Sequence, residues 1–274
     1  YEMSASLVGS EMCIRDSDVT EAAKKLTKDD GSQYGLCLRN DNNQAGYYNL
    51  IYDNGGYIIN DDKTKSGMDD PKTVEAMEML EGWIKDGVLP PIETMSENGE
   101  DVLLESGKVA MVPQGSWMIA AFRDNEYTAE NCDCVELPKS ATTGRRASLY
   151  NGLGWAAAAN TEHPEEAWQL IEYLGSKEAQ EKQAELGVTM SAYTGTSEAW
   201  AKSANFNLQA YINMMDDMEI RPYSRSTVTW ENKNSEILKS VYSGDKTMAD
   251  ACKEMAEQMN ESLAEDCLLY TSPS

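Results

Sequence analysis

The chain has 274 residues, a formal net charge of -24, 41% hydrophobic residues and 26% charged residues. Those proportions are ordinary for a globular protein. The acidity repels phosphate backbones and anionic lipid, which excludes nucleic acid and membrane surfaces as partners, and no apolar run is long enough to span a bilayer.

Both ends read as translated sequencing adapter. Cys267 to Ser274 resembles the transposase adapter of sequencing libraries, Leu7 to Asp16 resembles its complementary strand in another frame, and Tyr1-Glu2-Met3 resembles the flow-cell primer that precedes it. Residues 1–17 and 266–274 are therefore expected to be adapter-derived scars without selected packing. The natural chain is expected to run from about Asp18 to about Glu265, cut at both ends, with any signal or lipid anchor upstream. Of the six cysteines, Cys13 and Cys267 then fall in the scars.

In chain order, Glu21 to Thr27 reads as the end of an amphipathic helix stopped at Asp29-Asp30-Gly31. The apolar run Tyr34 to Leu38, holding Cys37, predicts a strand, and Asn40 to Gln44 a polar loop. A helix is predicted from about Ala45 to Tyr52, ending at Asn54-Gly55-Gly56, then a short strand Tyr57 to Ile59. Asp70-Pro71 opens a helix with apolar spacing through Val74, Met77, Leu80 and Ile84, stopped at Gly87. A short helix at Asp101 to Glu105, a strand at Val109 to Val112 and a helix starting at Gly115-Ser116-Trp117 follow. Val135 to Leu137 and Trp155 to Ala159 predict strands, and Pro164 to Leu174 and Lys177 to Leu186 predict helices. The tail is predicted helical over Asn207 to Met218, Glu231 to Tyr242 and Thr247 to Leu263, with Met248, Cys252, Met255, Met259 and Leu263 on one apolar face. Strands alternating with helices predict an α/β protein with largely parallel sheets.

Catalytic signatures are missing. There is no G-x-S-x-G elbow, H-E-x-x-H or phosphate loop, and His163 is the single histidine. Cys132 and Cys134 form a C-x-C without the partners a zinc site needs, so no metal or cofactor is expected. What the chain does have is 14 Tyr and 6 Trp against 2 Phe, rings that suit a site where one face meets sugar C–H groups and a polar edge stays wet.

Four segments carry a family resemblance. Gln44 to Ile59 with Tyr52-Asp53-Asn54-Gly55-Gly56, Gly107-Lys108-Val109-Ala110-Met111 leading to Gly115-Ser116-Trp117, Leu137-Pro138-Lys139 with Gly152-Leu153-Gly154-Trp155 and His163 to Trp168, and Trp230-Glu231 with Ser243 to Thr247 occur in order. Together they resemble the extracellular sugar-binding proteins of ABC importers, the maltose-binding-protein-like family. The resemblance implies a two-lobed α/β fold of the periplasmic-binding-protein kind, with sugar in the cleft and lobes that close by hinge motion. It implies a second lobe largely present over 18–148 and 196–265, a segment returning to the first lobe over 149–195, and most of the first lobe missing.

The site expected from it begins with Trp117, which follows a strand-ending turn pointing into the crevice where open α/β sheets bind ligands. Trp230 and Glu231 are expected in a second aromatic-rich cleft segment, and Asn43, Gln44 and Tyr47 in the segment after the Cys37 strand. Asn151 and Gly152 are expected to offer an amide and exposed backbone, and Arg225 a fork of donors for vicinal hydroxyls or a uronate. Each of these has a plainer alternative: core packing for the rings and a salt bridge for Arg225. The expected function is capture of a sugar or oligosaccharide by a monomer, a lipoprotein or a periplasmic protein, for delivery to an ABC importer permease. A binding protein for another small solute such as a polyamine is the second reading and a glycoside hydrolase the third. Paired carboxylates facing the ligand favour the second; turnover of a glycoside revives the third.

Overall fold

A computed structural model describes residues 14–271, the side chains of 267–271 excepted. Residues 1–13 and 272–274 lie outside it, so the expected lack of packing at Cys13 and at the Leu268 side chain falls outside the described residues. The described helices are α1 (Asp16–Leu26), α2 (Tyr48–Asp53), α3 (Pro71–Lys85), α4 (Ile92–Glu97), α5 (Glu100–Glu105), α6 (Ile119–Asp124), α7 (Glu126–Asn131), α8 (Pro164–Leu174), α9 (Lys177–Glu185), α10 (Ser197–Ala201), α11 (Gln209–Asn213), α12 (Thr227–Tyr242) and α13 (Met248–Thr271). Two short strands, β1 (Ser148–Tyr150) and β2 (Met218–Ile220), accompany them. The chain divides into two compact units, one of Tyr1–Pro113, Leu137–Leu149 and Arg221–Ser274, the other of Gln114–Glu136 and Tyr150–Ile220.

The first unit is built on the apolar faces legible in the sequence. Met248, Cys252, Met255, Met259 and Leu263 of α13 are all fully buried, the first four in one core with Met77 and Leu80 of α3 and Trp230 and Leu238 of α12. Burying each such side chain contributes about 1.5–3 kcal/mol. α3 starts where expected, because the Asp70 side chain accepts from Lys72 N and Pro71 supplies a preset φ in the first turn. Cys37 packs with Met95, Leu103 and Val109 in a second cluster of the same unit.

The predicted strands mostly stay extended without forming ladders. Tyr34 bridges Val109 in parallel, with Tyr34 N donating to Lys108 O at 2.9 Å and Cys37 N to Met111 O at 3.0 Å. Between them Gly35 turns its N–H to Thr27 Oγ1, and a side chain at 35 would collide with the Ala23 carbonyl of α1. The amide that a longer ladder needs, Leu36 N, donates instead to Val88 O at 3.1 Å. Ile59 makes one antiparallel bridge to Ser66. The helix predicted from Ala45 is instead a wide turn over Asn43–Tyr47 before α2, broken at Gly46, whose φ of -115° and ψ of -109° are not helical. The helix predicted over 207–218 shortens to α11 and a 3-10 turn at Met215–Asp217, where Asp216 and Asp217 oppose the negative end of a helix.

The described residues next to the two ends make hydrogen bonds. The four described residues of the leading segment are bonded into the first unit: Lys139 N donates to Ile14 O at 2.7 Å, Asp16 N to Lys139 O at 3.1 Å and Ala141 N to the Asp16 carboxylate at 3.1 Å. At the other end, Asp266 accepts from Ser226 N at 3.0 Å and Ser226 Oγ at 2.8 Å, ahead of α12. Burial raises the Asp266 carboxyl, but the Ser224 and Ser226 hydroxyls and the backbone amides outweigh it and hold it below the usual range.

The second unit has a smaller core, with Ile119, Phe122, Trp200, Leu208 and Met214 buried. Its α8 buries no residue at all, although its apolar side chains hold helical spacing. Trp155 and Trp168 are each 61% exposed and Leu170 58%. The segment predicted as a strand over Trp155 to Ala159 is exposed throughout and pairs with no strand among the described residues. So large an uncovered apolar surface is unusual for a soluble protein. The isolated chain should therefore bind a hydrophobic dye more strongly, and aggregate more readily, than the full gene product. Equal dye fluorescence and equal solubility would contradict this.

Candidate functional site

In the second unit, Gly115 and Ser116 turn the chain from the extended Val112 segment into a 3-10 turn, Ser116–Met118, that carries Trp117. Trp117 is 50% exposed. The turn is tied down on both sides: Tyr211 Oη donates to Gln114 O at 3.1 Å, and Ser116 Oγ lies 3.4 Å from Thr189 Oγ1. Tyr211 in turn packs edge-on against the buried Trp200, ring centroids 5.7 Å apart. An indole half in solvent on a fixed turn is chemically a stacking platform. Asn151 and Gly152 of the same unit are exposed, just after β1.

In the first unit the structure joins some of the expected residues and separates others. Glu231 is buried and accepts Arg221 Nη2 at 2.6 and 2.8 Å and Tyr48 Oη at 3.2 Å. Tyr47 is fully buried, edge-on to Tyr48 with centroids 5.0 Å apart. Trp230 has no exposed surface; its Nε1–H donates to Ser224 Oγ at 3.1 Å and its carbonyl accepts from Gln258. As ligand contacts Tyr47 and Trp230 are therefore corrected to core residues, because neither ring has a face to give. Glu231 likewise has both carboxylate oxygens engaged by Arg221. Asn43 and Gln44 stay half-buried in the turn before α2, where Asn43 Oδ1 accepts from Gln44 N at 2.6 Å. Arg225 is exposed just before α12, and the ion pair of this cluster is made by Arg221.

Arg221 and Tyr48 are the residues that sequence reasoning missed. The arginine expected to matter was Arg225, but the one that reaches Glu231 stands ten positions ahead of it, where no periodicity links the two. Arg221 Nε is buried without a hydrogen-bond partner, a donor that the cluster leaves over. Tyr48 adjoins Tyr47, and that doubled tyrosine was the one available signal.

The acidic residue of the Asn54-Gly55-Gly56 turn has a structural task. Asp53 is buried and its carboxylate accepts from Ala147 N. Burial, with a smaller push from Asp16, raises its pKa to about 8 against the lowering pull of the Ala147 amide, Arg145 and Arg146. The folded chain thus keeps a proton that the unfolded chain loses near pH 4. Its contribution is complete below pH 4 and is lost as pH rises towards 8. Asp53→Asn should therefore become progressively more stable than the parent between pH 4 and 8, by roughly 1.4 kcal/mol per pH unit at most. Denaturant melts at pH 4, 6 and 8 check this, and a difference that does not change with pH would refute it.

Among the described residues no group of three His, Cys, Asp or Glu side chains is placed to hold a metal ion, and no helix is long and apolar enough to cross a membrane. The four described cysteines are free, Cys37 and Cys252 buried and Cys132 and Cys134 half-buried.

The sequence profile of the bacterial extracellular solute-binding proteins matches residues 17–214. The chain belongs to that family. No match was found among curated protein sequences. Among solved structures, the chain is similar to an ABC substrate-binding protein from Listeria monocytogenes in complex with cycloalternan, at a TM-score of 0.82 and 19% identity, covering 95% of this chain and 67% of that one. A solute-binding protein of an ABC transporter from Thermotoga lettingae, bound with α-D-tagatose, gives 0.79 and 23%, covering 91% and 64%. The maltose-bound MalE3 of T. maritima gives 0.77 and 18%, covering 93% and 67%. At these identities the likeness is one of fold: α/β, of the two-lobed periplasmic-binding-protein kind. The chain spans about two thirds of the length of these structures.

Proposed function

We propose that this chain is part of an extracellular protein that captures a sugar or oligosaccharide and delivers it to the permease of an ABC importer. The observation that carries the reading is Trp117, a half-exposed indole on a pinned turn in a chain of the solute-binding family. The saccharides in the matched structures, cycloalternan, α-D-tagatose and maltose, support a sugar as the ligand class. In this reading Trp117 stacks on the sugar and Asn151 and Gly152 of the same unit supply polar contacts; Asn43, Gln44 and Arg225 are the polar candidates of the first unit taken by itself. The reading assigns residues 18–148 and 196–265 to the second lobe and 149–195 to the first, a division that differs from the two compact units, where 114–136 and 196–220 fall together with 150–195. The bare apolar faces of α8 and of the segment after Gly152 support that assignment, since they await a covering layer. Monomeric state, anchoring as a lipoprotein and docking on the permease belong to the same proposal.

Calorimetric titration of the full gene product against maltose, maltotetraose, D-tagatose and cycloalternan, with spermidine beside them, tests it. Saturable binding of a saccharide and none of spermidine is expected. Binding of spermidine alone would replace the sugar reading with the polyamine one, and release of reducing ends from a bound glycoside would make the protein a hydrolase.

A further inference from the structure

Trp117 does not stand free on its turn. A side chain built on Gly115 would place its Cβ 2.0 Å from Cζ3 of the Trp117 ring, 2.2 Å from Cη2 and 2.4 Å from Cε3. The benzo half of the indole occupies the space that any residue but glycine would fill. The backbone does not ask for glycine here: φ is -85° and ψ 164°, an extended conformation open to every residue. What excludes a side chain is the ring.

We infer that Gly115 is a positioning residue: its bare α-carbon is the seat on which the Trp117 ring rests, fixing one face and turning the other outward. Both neighbours of the seat are held, Gln114 through the Tyr211 hydroxyl and Ser116 beside Thr189, so the seat itself moves little. A ring already confined loses less rotamer freedom when a ligand stacks on it, and that preorganisation strengthens binding without adding a contact. Displacing the ring costs the fold little, since half of it is in solvent and it is the far end of a side chain that must swing. The pose of the platform is thereby separable from the stability of the protein.

The inference about the seat rests on geometry, and only its consequence for affinity rests on the sugar reading above. The test therefore has two arms on the full-length protein. In the first, the indole N–H resonance of Trp117 is assigned as the ¹⁵N peak absent from Trp117→Phe, and Gly115→Ala should move that peak. In the second, Gly115→Ala should weaken binding of the tightest saccharide among maltose, maltotetraose, D-tagatose and cycloalternan by about tenfold, an effect that should vanish in a Trp117→Ala background. An unmoved indole peak, or an equal loss of affinity with and without the tryptophan, would overturn the seat. A moved peak with unchanged affinity would leave the seat standing and sink the stacking role of Trp117. If Gly115→Ala alone fails to fold, the double variant decides: a folded Gly115→Ala/Trp117→Ala protein supports the seat, and an unfolded one shows that the backbone needs glycine after all.

Discussion

Trp117→Ala in the full-length protein should weaken saccharide binding by about ten- to a hundredfold, the loss of a stacking face worth on the order of 1–3 kcal/mol. Trp117→Phe should recover part of it, since a smaller ring still offers a π-face to sugar C–H groups. The structure sharpens what the melting curve should do. Half of the indole is in solvent and its inner contact is with Gly115, so truncation removes little packing. The stability loss should stay near 1 kcal/mol or below. Calorimetric titration beside thermal unfolding separates the two quantities. A variant that binds normally but melts much earlier would mean that the ring is a packing element in the complete protein.

How much of this was legible in the sequence differs by element, for physical reasons. α3 and α13 announced themselves because helix period, caps and an apolar stripe agreed, and both stripes are core. The extended segments were legible as apolar runs, yet not as ladders, because a ladder depends on a partner that lies far away in the chain. Tyr34 finds Val109 across such a distance, while the Trp155 segment finds nothing in its own unit. Leu36 shows a further limit: its amide goes to Val88 O and not to the Val109 segment, and no periodicity records that diversion. The site divides in the same way. The exposure of Trp117 agrees with its place after a turn of small residues. Trp230 and Tyr47 were not readable, because the depth of a ring on a helix depends on what covers it. Glu231 looked like a ligand contact until its partner Arg221 was placed beside it.

The contrast with Trp117 makes Trp230 the stricter test. Both are tryptophans at a helix start, and the resemblance to sugar-binding proteins offered each as a cleft residue. The structure buries Trp230 completely, in the core shared by α3, α12 and α13, with its N–H satisfied by Ser224 and its carbonyl bonded to Gln258 of α13. Trp230→Ala removes a large apolar side chain from a place where the neighbours are held by their own helices, and a cavity is left. Such truncations cost about 3–5 kcal/mol. For a protein of this size that corresponds to a fall in melting temperature of roughly 10 °C. Trp230→Phe should cost less, because the smaller ring refills part of the volume and the Ser224 hydroxyl, losing its indole donor, keeps its bonds to Ser226. Affinity of the folded fraction for its saccharide should stay within about twofold of the parent, well short of the tenfold that 1.4 kcal/mol would bring. The pattern is the reverse of that for Trp117, so one pair of variants measured on both axes distinguishes platform from core. A Trp230→Ala protein that melts like the parent yet no longer binds sugar would return this ring to the binding site.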